Sequence, residues 1–355
     1  MRILVLGAGG PAGVNFMKSL MLVHPKIEIY GCDMNKYHLY FAKPYCEKVF
    51  DISKKSVEEI NNIVKENKID FVHPQPDKEV QWLSENRRDI DSTIFLPKEE
   101  VIDICQDKFL SAMKWFHAGL CEKPLQIDIR ATLTKQEIKN AIDKYGKVWL
   151  RATEGAGGRG STPIENVEAG YSWIRYWRAK DWRLNYSWDQ WEWMAQPYLP
   201  GRNLAWHSLW KDGELIVSQA RERLEYIYPY LAPSGVTGTP VVQRTVNEEK
   251  INFIAEKSVL TIDPKPNGIY CVDLKEDKDG KPIPTEINAG RFFTTSFFFA
   301  NAGMLYNIPR ANLPYMYLMM GMNLDYPKGD KYNILPSDLY WIRHIDCPAQ
   351  MVANI

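Results

Sequence analysis

Ile269-Tyr-Cys-Val-Asp273-Leu-Lys-Glu-Asp-Lys-Asp-Gly280-Lys-Pro-Ile-Pro-Thr-Glu286-Ile-Asn288-Ala-Gly-Arg291 reads as two strands joined at Asp277-Lys-Asp-Gly280, a hairpin turn signal. The first strand, Ile269–Leu274, carries Asp273 near its end. The second, Pro284–Asn288, carries Glu286 and Asn288 two residues apart, so both side chains leave the same face. The hairpin brings Asp273 alongside them. Three hard oxygen ligands gathered in this way suit Mg²⁺ bridging phosphate oxygens. Arg291 follows, placed to hold a transferring phosphoryl group or a substrate anion. A solvated hairpin with charges beside its turn is the competing reading, and what lies upstream decides between them.

Upstream, Val148-Trp-Leu-Arg151 forms a strand that runs into Ala152-Thr-Glu-Gly155-Ala-Gly157-Gly158-Arg159-Gly160-Ser161. Four glycines in six residues expose backbone N–H groups able to wrap phosphates. Arg151, Arg159 and the Ser161 hydroxyl flank them, which favours a phosphate loop over a plain linker. No Gly-Lys-[Ser/Thr] occurs in the chain, so this is not a Walker A loop.

The N-terminus presents a second glycine loop. Arg2–Leu6 is a short apolar run, and Gly7-Ala-Gly9-Gly-Pro-Ala12-Gly13 opens a helical pattern. Asp33 ends the next strand, Ile27–Tyr30 plus Gly31-Cys-Asp33, where a ribose-binding acid stands in a dinucleotide fold. Tight β–α packing explains the same glycines equally well, and the motif alone leaves the two readings level. Val57–Glu66 has helical spacing, and Ile69–His73 is a third strand. This alternation argues for a parallel, doubly wound sheet in the first hundred residues. Helices follow at Asp107–Gly119 and Lys135–Tyr145. From Met194 the pattern turns to strands (Ala205–Trp210 and Glu214–Ala220, joined at Lys211-Asp-Gly213), with a helix at Glu248–Leu260. Six of the twelve tryptophans crowd into 171–193. Trp173 and Trp177, four apart, fit one face of an amphipathic helix.

Composition narrows the function. The 355 residues are 45% hydrophobic and 25% charged, which excludes a disordered chain. Lys+Arg and Asp+Glu are both 44, a balance that disfavours a nucleic-acid binder. No apolar run reaches the length of a membrane span; the nearest, 292–305, is short and carries Thr294, Thr295, Ser296 and Asn301. The run at the very start reads as a buried strand rather than a signal peptide. Six scattered cysteines with no C-x-x-C fit a reduced, cytoplasmic protein.

With these motifs assembled, the chain resembles the ATP-grasp superfamily over nearly its whole length, and is similar to carbamoyl-phosphate-synthase large-subunit-like proteins and carboxylate–amine ligases. The resemblance implies a mixed α/β and α+β fold in three parts. Residues 1–104 would be a Rossmann-like pre-ATP-grasp domain that does not bind NAD. Residues 105–195 would be a small lid subdomain, and 196–355 a C-terminal antiparallel-sheet subdomain with the metal site. It implies Lys108 (in Asp107-Lys-Phe109) and Arg151 as the basic ATP residues, with Gly155, Gly157, Gly158 and Ser161 as the phosphate loop. Gln196-Pro197-Tyr198-Leu199 would be the adenine hinge, and Asp273, Glu286 and Asn288 the ligands of Mg²⁺, with Mn²⁺ as the alternative. Arg291 and Arg151 would serve the phosphoryl transfer. Two departures stand out. Asn203 occupies the place of the acid that holds the ribose hydroxyls, and one extra residue separates Asn288 from Arg291.

The implied reaction is ATP-dependent activation of a carboxylate as an acyl phosphate, followed by attack of an amine. Its partners would be small-molecule acids and amines, with no nucleic acid and no membrane. Phosphorylation of bicarbonate or carbamate is the runner-up, and a nucleotide-binding protein without chemistry the third reading. Arg221, Arg223 and Arg244 are candidates for the substrate carboxylate, and Gln75, Asp77 and Glu79 for the amine. His73 and His207 read as packed rather than catalytic. The Met/Tyr-rich tail and the Trp segment are candidates for a homodimer interface.

Overall fold

The computed structural model describes residues 1–23, 27–155, 158, 160–179, 192–344 and 350–353. Its first sheet is built from β1 (Arg2–Leu6), β2 (Glu28–Asp33), β3 (Lys48–Asp51) and β4 (Phe71–Pro74), all parallel in the order β3-β2-β1-β4. The helices α1 (Pro11–Leu20), α2 (Leu39–Ala42), α3 (Val57–Asn67) and α4 (Asp77–Glu85) connect or flank these strands. Strand β1 is buried almost throughout, as a central parallel strand covered on both faces must be. Ser56 caps α3 by accepting from Glu59 N at 3.1 Å. The sequence-expected parallel sheet is present, with β3 an addition that its short, half-exposed run did not announce.

The glycines of the first loop are used for packing. Gly7 has φ +67°, and a Cβ there would lie 1.5 Å from the Gln75 carbonyl oxygen. A Cβ on Gly9 would lie 2.2 Å from the His38 carbonyl oxygen, so main chain fills the approach a pyrophosphate would need. Asp33, in the ribose-acid position, accepts from Gly9 N (3.1 Å) and Asn35 N (2.8 Å) and so braces the loop itself.

Helices α5 (Glu99–Gln106) and α6 (Lys108–His117) lead to the second sheet. Asp107 caps α6 through Phe109 N (2.8 Å) and Leu110 N (3.0 Å). A Schellman pair, Gly119 N to Phe116 O and Leu120 N to Trp115 O, ends it. The second sheet contains β5 (Leu125–Ile127), β6 (Val148–Ala152), β7 (Thr162–Ile164) and β8 (Trp193–Pro197), antiparallel in the order β5-β8-β6-β7. Helices α7 (Ala131–Tyr145) and α8 (Val167–Ala179) pack on it and enclose a core of their own around Ile138, Leu150, Ile174 and Trp193. Trp173 and Trp177 lie on α8 with ring centroids 5.8 Å apart, in the helical arrangement their spacing implies. Trp182, Trp188 and Trp191 lie outside the described residues.

The third sheet has seven antiparallel strands: β9 (Asn203–Lys211), β10 (Glu214–Tyr226), β11 (Pro240–Val246), β12 (Gly268–Glu276), β13 (Pro282–Ala289), β14 (Leu339–Ile342) and β15 (Gln350–Ala353), in the order β13-β12-β9-β10-β11-β14-β15. Helix α9 (Glu249–Ile262) covers one face, where Trp206 Nε1 donates to Asn252 Oδ1 and Trp115 Nε1 to Ser258 O, each at 3.0 Å. On the other face α10 (Ser296–Leu305) and α11 (Leu313–Gly321) join α1 in a core that includes Phe16, Phe71, Leu209 and Ile269. The first and third sheets therefore share continuous apolar cores, whereas the second has a separate one.

Met316, Tyr317, Met319 and Met320 of α11 are buried inside the chain. These four are core residues, because α11 is wedged between the two sheets, whereas Met304, Leu305 and Tyr306 of the same tail are exposed. No described helix is long and apolar enough to cross a membrane.

These contacts set two glycine outcomes apart. Gly7→Ala meets both positive φ and a main-chain clash, and loses about 2–5 kcal/mol of stability. Gly119→Ala keeps open space around its Cβ and loses about 1–2 kcal/mol from φ alone. Urea denaturation of the two variants checks the contrast.

Candidate functional site

The hairpin β12–β13 sets Asp273 directly opposite Glu286, and Cys271 opposite Asn288, with a bulge just after Asp273. The three expected oxygen donors thus come together on one face. Arg151, at the end of β6, crosses from the second sheet: Nη2 donates to Glu286 Oε2 (2.8 Å) and Nη1 to Thr285 O (3.1 Å). The cap on α6 aims Lys108 at the same place. Its backbone N donates to Thr153 O (2.9 Å), and its Nζ donates to Gly155 O (2.6 Å).

Electrostatics follow from this crowding. Burial works against the charged form of Glu286, yet Lys108 and Arg151 outweigh it and hold its pKa below the usual range. Burial raises the pKa of Asp273 against the pull of Arg223, whose Nη2 donates to Asp273 Oδ1 at 2.6 Å. Burial lowers the pKa of Lys108, with Glu286 opposing the shift. Two carboxylates and an amide, all oxygen donors, fit a hard divalent cation.

The glycine loop leaves β6 beside Arg151. Gly155, Gly158 and Gly160 all have positive φ, and a Cβ on Gly158 would come within 2.9 Å of Val236 O, on the connection between β10 and β11. Gly157 and Arg159 lie outside the described residues. Strand β5 stops opposite Ala195. Beyond it β8 has a strand on one edge only, with Gln196 opposite Trp149 and Pro197 opposite Val148. Tyr198 N donates to Lys147 O at 3.1 Å. Leu199 continues to Asn203, whose Oδ1 accepts from Lys275 Nζ (3.2 Å).

The described residues expected to serve nucleotide, metal and phosphoryl transfer line one cavity of about 1810 Å³: Lys108, Arg151, Gly155, Gly158, Ser161, Gln196–Leu199, Asn203, Asp273, Glu286, Asn288 and Arg291.

Several of the other candidates are already engaged within the chain. Arg291 grips Asp77 through Nε and Nη2 (Nη2–Oδ2 2.9 Å) and also donates to Asn288 Oδ1 (2.5 Å). Asp77 therefore neutralises an arginine, and Glu79 pairs with Lys55 at 2.9 Å. Gln75, with its amide oriented to suit its neighbours, exchanges two bonds with the Phe292 backbone. The three residues expected to hold an amine all have partners within the chain. Arg244 lies opposite Glu222, bonded to it (2.8 Å) and to Asp338 (2.9 Å), on the face away from Arg221 and Arg223. The sequence reading also did not anticipate the Arg223–Asp273 and Arg291–Asp77 pairs, because no local spacing links such distant positions. His73 is fully buried and stacked on Phe16 (4.1 Å), and burial lowers its pKa to about 3. His207 is equally buried and accepts from Arg221. Both are packed, as expected.

One further contact ties the link between β8 and β9 to the third sheet. Main-chain bonds join Gly201 N to Glu276 O (2.9 Å) and Glu276 N to Arg202 O (3.1 Å). The Arg202 guanidinium bridges Glu276 (2.7 and 2.8 Å) and Glu248 (2.7 and 2.9 Å).

No family model and no curated protein matches this chain. Solved structures do. The biotin carboxylase domain dimer of 2-oxoglutarate carboxylase from Hydrogenobacter thermophilus, in complex with MgADP, ADP and bicarbonate, is 13% identical with a TM-score of 0.70, over 96% of this chain and 73% of that one. An L-amino acid ligase from Bacillus licheniformis is 12% identical with a TM-score of 0.69, over 96% and 79%. A carboxyaminoimidazole ribonucleotide synthase from Aspergillus clavatus, complexed with ATP, is 14% identical with a TM-score of 0.69, over 96% and 81%. These are ATP-grasp enzymes, and the chain has the ATP-grasp fold.

The Arg202 bridge has a pH signature. Hydrogen bonding to Arg202 lowers the pKa of Glu276 from 4.5 to about 2 and also lowers that of Glu248. Carboxyls depressed in the folded state stabilise it above their unfolded pKa and lose that contribution as pH falls. Arg202→Met is therefore less stable than wild type at neutral pH. The difference shrinks as pH drops from 4.5 towards 2, read by urea denaturation at stepped pH.

Proposed function

We propose that this chain is an ATP-dependent ligase that activates a substrate carboxylate as an acyl phosphate for attack by an amine. The observation that carries the reading is the convergence, on one cavity, of an oxygen triad, two buried cations and a positive-φ glycine loop. The partial edge of β8 supports it, since open main chain there suits the rim of a planar base. The neighbours in complex with ATP, ADP or MgADP support nucleotide and magnesium as the small-molecule partners. In this reading residues 1–104, 105–195 and 196–355 act as pre-ATP-grasp domain, lid and metal-bearing subdomain. The five described cysteines, all unbridged, support a reducing cytoplasmic setting.

Asp273, Glu286 and Asn288 would hold Mg²⁺, or Mn²⁺. When bound, the ion offsets charge on the phosphate oxygens. Lys108 and Arg151 bring two further positive charges, and their low exposure keeps them strong. A carboxylate oxygen of the acid attacks the γ-phosphorus and ADP leaves. The amine then attacks the acyl carbon, phosphate leaves, and the amine's proton passes to solvent. Gly158, close against Val236 on the β10–β11 connection, would help exclude water from the acyl phosphate. Asn203, bonded to Lys275, offers the ribose a neutral amide in place of an acid.

Phosphate release from Mg·ATP with paired carboxylates and amines tests this reading. Release that requires one acid–amine pair is the expected result. Release with bicarbonate alone moves the chain to bicarbonate phosphorylation, a reading favoured by the bicarbonate-bound neighbour. Glu286→Ala lowers turnover by about 100-fold or more; an unchanged rate refutes an enzymatic role for the hairpin. Arg151→Ala weakens Mg·ADP binding by about 10- to 100-fold in calorimetry, with the circular dichroism of the folded chain retained.

A further inference from the structure

Glu286, Asp273, Ala205 and Arg221 stand in one cross-sheet row over β13, β12, β9 and β10. Their side chains share the cavity face. Arg151 and Lys108 act at the Glu286 end of this row. At the other end, two strand spacings or about 10 Å beyond Asp273, Arg221 is 1% exposed. Its Nη1 lies 2.9 Å from His207 Nε2, and its Nε has no partner. Its guanidinium lies over the rings of Phe293 (5.3 Å) and Phe299 (5.8 Å). No described carboxylate forms an ion pair with it.

The neighbours of Arg221 deepen the imbalance. Arg223 takes up Asp273. Arg343 donates to Pro240 O (3.0 Å) and to Thr294 Oγ1 (3.3 Å), not to a carboxylate. Arg223 and Arg343 both add positive charge around Arg221, while Asp273, the carboxylate that opposes it, is held by Arg223. Gln243, opposite Arg223, is fully buried with both amide atoms unpartnered. The hydroxyls of Thr295 and Ser296, where α10 starts, are likewise buried and unpartnered. A buried cation without a counter-charge is costly, and a cluster of idle donors around it is the chemistry of an anion site. The cavity reaches Arg221, Arg223, Phe293 and Thr294.

We propose that this end of the cavity binds a second anionic group of the acid substrate, so that the acid is a short dicarboxylate, with Arg221 as the main contact. The inference rests on the acid-activating reading above and names the class of acid. The nucleotide is the weaker occupant, because its hinge and two cations lie on the lid side of the metal hairpin. Arg221 lies beyond that hairpin.

The test uses the full chain saturated with Mg·ADP, titrated in a calorimeter with malonate, succinate and glutarate, and with the half-amide of each. One diacid binds about 10- to 100-fold more tightly than its half-amide, and Arg221→Gln abolishes that preference without changing Mg·ADP affinity. Equal binding of diacid and half-amide by wild type overturns the proposal. So does a loss of Mg·ADP affinity in Arg221→Gln with acid binding intact, which makes the arginine a phosphate contact. If Arg221→Gln fails to fold, the conservative Arg221→Lys, which removes the planar fork, is read instead and weakens the same preference. Phosphate release then separates this proposal from the ligase reading. A diacid preference in binding with no phosphate release upholds the anion pocket and sinks the ligase. Acid-dependent release with a monocarboxylate, equal to that with the diacid, upholds the ligase and sinks the pocket.

Discussion

Two carboxylates facing each other across an antiparallel pair are the constraint on which this molecule turns. At the separation of facing side chains, Asp273 and Glu286 repel by about 3 kcal/mol at an effective dielectric near 20. Cations brought from three different places relieve that repulsion: Arg151 from the second sheet, Arg223 from β10 and Lys108 from the start of α6. Because Arg151 reaches Glu286 and the Thr285 carbonyl, the electrostatic balance of the hairpin also holds the small second sheet against the large third one. A second tether, Arg202 on Glu276 and Glu248, lies where the chain passes between the two. The second sheet has its own apolar core, so polar contacts of this kind have an outsized part in fixing its position.

The N-terminal loop illustrates how one sequence pattern serves two ends. Gly7, Gly9 and Gly13 are required because main chain from Gln75, His38 and the loop itself sits where their side chains would be. Asp33 is required because it accepts the loop's own N–H groups. A dinucleotide site asks for the same residues for a different reason. The distinction lies in what approaches the glycines, which is a tertiary fact.

Charge pairing redistributed the other candidates. Arg221 and Arg223 face the cavity while Arg244 faces away, although all three lie on neighbouring strands. Strand alternation fixes which face each takes only once the register is known, and the register of β10 against β11 includes irregularities near Arg223 and Glu225. Asp77, Glu79 and Gln75 are consumed by Arg291, Lys55 and the Phe292 backbone. Arg221 is the exception, a buried cation with no carboxylate of its own.

Local sequence determined much of the rest. Alternating apolar strands and helical spacings defined the parallel sheet. The Asp-Gly turns defined the hairpins 211–213 and 277–280, and the pairing of Glu286 with Asn288 on one face followed from the two-residue period of a strand. These features depend on neighbours in the chain, so the chain alone reveals them. Helices α10 and α11 were not legible, because both are apolar almost throughout and so show no polar face and no period. Nor were the partners of Asp77, Arg223 and Arg202, which lie 46 to 214 residues away. An ion pair between remote positions leaves no spacing to read. Only the packing of three sheets around one cavity decided which charges meet.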